Sequence, residues 1–159
     1  RKRYGLLEIS GVARARSMRP EANSVLVPEI AAKESNMSIT MARMEEILES
    51  FNAHDVDRIV GNFDENGEFL MAAGPELYGE RFVGREAISE VLRQRFLAVP
   101  DIRWVDAKTW ISDDRAVTEW RVQGTTANGR LNYLGCDLWE FRNGKVLKKD
   151  TYYKQVISS

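Results

Sequence analysis

The chain has 159 residues, 43% hydrophobic and 30% charged, enough to bury one domain-sized core beneath a charged surface. Its net charge of −1 argues against a nucleic-acid platform, and no apolar run is long enough to span a bilayer. One cysteine, Cys136, excludes an internal disulfide and a cysteine-based metal cluster, and one histidine, His54, excludes a multi-histidine metal site within the chain. The expectation is a protein without metal or cofactor, in a reducing, cytoplasmic setting, with neither nucleic acid nor membrane as partner.

Residues 1–36 show no sustained periodicity and carry seven Lys/Arg against four Asp/Glu, so they read as a flexible extension dispensable for the fold. Arg14, Arg16 and Arg19 suggest a transit segment, against which Glu8 and Glu21 stand. Residues 37–159 form the domain, with 16 basic and 20 acidic groups. Met41, Met44, Ile47, Leu48 and Phe51 recur at helical spacing and define a first helix. His54, in Asn52-Ala53-His54-Asp55, reads as a solvated turn residue, and Asp55 as the cap of a second helix with Val56, Ile59, Val60 and Phe63 inward. Asp64-Glu65-Asn66-Gly67 predicts a turn, followed by a short strand through Phe69 and Met71 that Gly74-Pro75 ends. The loop from Glu76 to Gly84, with Tyr78, Phe82 and Val83 among charges, suits a pocket rim. A third helix begins near Gly84, buries Ile88, Val91, Leu92, Phe96 and Val99, and stops at Pro100.

Everything beyond Pro100 reads as strand. Ile102 to Ile111, Arg115 to Thr125 and a hairpin over Gly129 to Val156 are separated by turns at Ser112-Asp113-Asp114, Asn128-Gly129 and Asn143-Gly144. Strands joined by tight turns make a meander, and three helices must cover one of its faces. The fold class is α+β, three N-terminal helices on a curved antiparallel sheet. In the first hairpin arm Tyr133, Gly135, Asp137, Trp139 and Phe141 share one face by the two-residue strand period. Asp137 thus sits among aromatic groups. Desolvation there should raise its pKa and make it a neutral donor or a general base; a structural aspartate satisfied by a Lys or Tyr is the alternative. A two-residue loop at Asn143-Gly144 sets Asp137 opposite Asp150. A three-residue loop sets it opposite Lys149, pairs opposite charges, and is favoured.

The order helix, helix, short strand, helix, long meander resembles the nuclear transport factor two-like superfamily, especially SnoaL-like polyketide cyclases and ketosteroid isomerases. Met44–Phe63, Phe82–Leu92, Arg115–Thr125 and Cys136–Tyr153 carry the resemblance. It implies a cone with a deep, mostly apolar pocket and a homodimer formed through the outer sheet face. Asp137 matches the isomerase aspartic acid that donates to an enolate oxygen. The isomerase base falls near Leu70 or Met71 and its tyrosine near Ile47, so that constellation is incomplete. The Arg-x-Asp pair of limonene epoxide hydrolases falls on Trp120 and Val122, and their second aspartate near Thr151; all three are lost. The expected pocket has Asp137 and Lys149 as catalytic groups, walled by Phe63, Met71, Tyr78, Trp120, Tyr133, Trp139, Thr151 and Tyr153. Two functions follow: cofactor-free proton transfer on a hydrophobic carbonyl compound (isomerase, cyclase or dehydratase), or a non-catalytic dimeric module that binds a ligand or a protein.

Overall fold

The structure, a computed structural model, describes residues 38–156. The expected extension over residues 1–36 lies outside them. Helix α1 (Met41–Asn52) starts where Thr40, in extended backbone, turns its hydroxyl back to accept from the Arg43 amide. Its buried face is Met44, Ile47, Ser50 and Phe51. Helix α2 (Val56–Gly61) is capped by the Asp55 carboxylate, which accepts from the Arg58 amide at 3.0 Å. Between them His54 takes a left-handed φ of 55°. Its ring stacks on Phe96 at 4.3 Å, and Nε2–H donates to the Ile102 carbonyl at 2.8 Å. It is half-buried and pins the turn to the sheet, rather than standing in solvent as expected.

Phe63 does not continue the second helix. It opens strand β1 (Phe63–Leu70) and is fully buried. The expected turn at Asp64–Gly67 becomes an irregularity inside that strand. Asp64 accepts from the Asn66 amide at 3.0 Å, a local bend, while the strand continues on either side of it. Strand β2 (Arg81–Val83) lies where the sequence predicts a loop; it pairs antiparallel with β1. Helix α3 (Arg85–Ala98) follows Gly84, whose φ of 85° suits glycine.

Strands β3 (Arg103–Ser112), β4 (Arg115–Thr126), β5 (Gly129–Arg142) and β6 (Lys145–Tyr153) form the expected antiparallel meander. The sheet order is β2-β1-β6-β5-β4-β3, and β1 lies parallel to β6, so the open six-stranded sheet is mixed. The helices cover one face. Their apolar stripes meet Phe63, Phe69, Trp139, Phe141 and Val146 in the main core, and Val99 and Ile102 pack with Trp120 and Val122 beside it.

The hairpin tip departs from the favoured register. Asn143 and Gly144 both take positive φ, 52° and 73°, which is what a two-residue hairpin loop needs, and Arg142 pairs with Lys145. A bulge then intervenes: Phe141 pairs with Val146 but Glu140 with Lys148, leaving Leu147 as the extra residue. Beyond it Asp137 lies opposite Thr151 and Trp139 opposite Lys149. The favoured partner of Asp137 is therefore displaced by two positions. A shift of two preserves the face, so Lys149 still points to the side of Asp137, and Asp150 pairs with Leu138 on the other side.

Candidate functional site

The inward faces of β4, β5 and β6 bring four polar side chains together. Asp137 on β5 accepts from Lys149 Nζ at 2.6 Å and Thr151 Oγ1 at 2.7 Å through one carboxylate oxygen. Its other oxygen accepts from Trp120 Nε1 at 2.8 Å. Lys149 also donates to Thr151 Oγ1 at 2.8 Å. Asp137 is 2% exposed and Lys149 5%. Two of these donors, Lys149 Nζ and Trp120 Nε1, can only donate, so Asp137 accepts from both.

Lys149 stands over aromatic faces, with Nζ 4.7 Å from the centre of the Phe69 ring, 5.3 Å from Trp139 and 5.6 Å from Phe51. Burial pushes its pKa below the ordinary lysine value, and the charge and hydrogen bond of Asp137 pull the other way. A close approach of backbones makes room for Trp120. A Cβ on Gly135 would collide with the Trp120 ring and with the Tyr152 carbonyl.

A cavity opens against this cluster. Its volume is about 100 Å³. Of the sequence-predicted residues Met71, Trp120, Tyr133, Lys149, Thr151 and Tyr153 line it. The Tyr133 and Tyr153 rings are paired, 4.8 Å between centres. Asp137 and Trp139 instead border a separate void of about 10 Å³ that Lys149 and Trp120 also line. Phe63, at the start of β1, packs in the main core against Phe69 and does not line the cavity. Tyr78 is 49% exposed on a loop that folds back on itself between Glu76 and Gly79, and it does not reach the cavity.

Phe51, Phe69, Trp104 and Arg95 line the cavity without having been anticipated. Phe69 shares the strand period of Met71, and Arg95 lies one turn beyond Val91, so both were within reach of the patterns already in use. Arg95 is charged, so the apolar stripe of helix α3 does not single it out. Among the described residues its side chain makes no hydrogen bond and no ion pair. Among those residues, too, no three His, Cys, Asp or Glu side chains gather into a metal-binding group. No helix there is long and apolar enough to cross a membrane.

Helices laid on one face of an open, mixed six-stranded sheet, with a pocket against the inner strands, define a cone-shaped α+β pocket fold. The chain belongs to the SnoaL-like domain family, whose model matches residues 44–148. Solved structures agree on the fold. A candidate polyketide cyclase from Xanthomonas campestris is 22% identical with a TM-score of 0.63, over 71% of this chain and 88% of that one. Bal32a from a soil-derived mobile gene cassette is 23% identical with a TM-score of 0.64, over 72% and 88%. A protein with a ketosteroid isomerase-like fold from Catenulispora acidiphila, in complex with trimethylamine, is 15% identical with a TM-score of 0.64, over 73% and 88%. A comparison with curated proteins found no match.

Proposed function

We propose that the chain binds a small, largely apolar carbonyl compound in the Lys149 cavity and carries out cofactor-free proton transfer on it, as an isomerase, cyclase or dehydratase does. One observation carries the reading: a buried lysine with a depressed pKa ends on the wall of an otherwise mostly apolar cavity. As the free amine, Lys149 takes a proton from the carbon beside the carbonyl; as the resulting ammonium, it lies next to the enolate it has made. Tyr133 and Tyr153 add a pair of aromatic rings to the cavity wall. Asp137 lies behind Lys149 and Thr151, so it is a positioning residue, holding both side chains and the Trp120 indole in place. A reducing, cytoplasmic setting belongs to the same reading and rests on the single cysteine.

The test is solvent deuterium incorporation at the α-carbon of ketones drawn from steroid, polyketide and terpenoid skeletons, followed by NMR. Exchange above the buffer rate in the native chain, lost in Lys149→Met, is expected. Rates equal to buffer across the whole set would count against catalysis. They would favour the second reading, a non-catalytic binding module, which has its own support: Asp137, Lys149 and Thr151 satisfy one another without a substrate.

A further inference from the structure

The charged side chains on the cavity wall are Arg95 and Lys149, and no Asp or Glu lines it. Asp137, immediately behind, answers the charge of Lys149. Nothing among the described residues answers Arg95, which is half-buried on α3 and acts on Lys149 as a second like charge. With Lys149 protonated the site carries an excess of one positive charge, and in either protonation state Arg95 has no facing anion in these partly desolvated surroundings, where an unpaired cation is costly and an incoming anion relieves the cost. The rest of the wall is aromatic and aliphatic, with Phe51, Phe69, Trp104 and Trp120 contributing flat faces.

We propose that the ligand of this cavity is an organic oxyanion: a compact, flat, apolar molecule with one acidic group, held by the Arg95 guanidinium while the rest of the frame reaches Lys149. Arginine suits the task, because its planar fork bonds a carboxylate through two parallel N–H groups and keeps its charge at any working pH. The inference rests on the binding reading of the previous subsection and narrows it from apolar carbonyl compounds to acidic ones.

A matched pair of probes tests it. 2-Naphthoate and 2-naphthamide share a frame and differ by one charge, and titration calorimetry on the full chain measures both. The naphthoate is expected to bind more tightly by about tenfold, a preference that shrinks at high salt. In Arg95→Gln the preference should fall to near parity, chiefly through weaker naphthoate binding, and its salt dependence should disappear. Equal binding of acid and amide by the native chain, or a full preference surviving in the variant, would overturn the inference while leaving an apolar carbonyl pocket intact. Binding of neither probe at millimolar concentration would overturn this inference and the pocket reading together. Should Arg95→Gln fail to fold, the acid-to-amide ratio and its salt dependence in the native chain still decide.

Discussion

Asp137 and Lys149 are individually poor choices for a protein interior and tolerable only as a pair. Removing one partner leaves a buried charge with no answer, whereas replacing both by apolar groups removes the cost of desolvation as well as the attraction. Asp137→Ala is therefore expected to destabilise the domain by about 3–5 kcal/mol in denaturant unfolding. The double variant Asp137→Leu/Lys149→Met should be closer to the native chain than that single variant. A double variant worse than the sum of the singles would mean that the pair does more than balance charge. Proton transfer gives a second residue-scale expectation. The active form of Lys149 is the neutral amine, so the exchange rate should rise with pH and level off at a midpoint below the 10.5 of an ordinary lysine. A rate that falls as pH rises would assign the chemistry to an acid instead.

At the scale of elements, much of this site was legible because a strand's two-residue period survives any even shift. Asp137, Lys149, Thr151 and Trp120 reach one face although the exact partner of Asp137 differs from the expected one. The bulge at Leu147 was invisible, since it answers to two demands set far apart: the Asn143-Gly144 loop at the tip and the inward direction of both Val146 and Lys149. Phe63 was misplaced for a related reason. An apolar residue one position beyond a short helix fits the helical stripe and a following strand equally well, and pairing with the distant Val146 decides between them. Gly135 offers a test of how closely these strands are fitted. Gly135→Ala must push Trp120 aside, at a cost of about 1–3 kcal/mol for overpacking, with a shift in tryptophan emission as the Trp120–Asp137 bond is disturbed. Unchanged emission and stability would show that the approach of Trp120 and the Tyr152 carbonyl to Gly135 is looser than this fit requires.

For the whole molecule, the side of the sheet away from the helices carries Trp110, Leu134, Leu138 and Tyr152, of which all but Leu138 are more than half exposed. Val117 pairs with both Trp110 and Leu138, which joins two of these positions into an apolar row across β3, β4 and β5. A face of this kind tends to associate, and a homodimer is the expected state. Light scattering at micromolar concentration should give twice the chain mass, and Leu134→Glu should reduce it to one. A native chain that scatters as a single copy would rule out this interface.

The place of β6 in the sheet has a consequence for how the protein comes to be made. Lys145–Tyr153 is the last strand of the described residues, yet it lies between β1 and β5 and supplies β1 with its parallel partner. A ribosome delivers the helices, β1, β2 and the β3–β5 meander first, and until β6 emerges the two halves have no strand to join them. The nascent chain must wait with the edges of β1 and β5 both open, and with Asp137 short of two of its three donors. Chains stalled before Lys145 should thus be cut readily by protease, and chains extended past Tyr153 far enough to clear the exit tunnel should resist. Protection that appears in steps, before β6 is free, would mean that the helices and meander can settle separately.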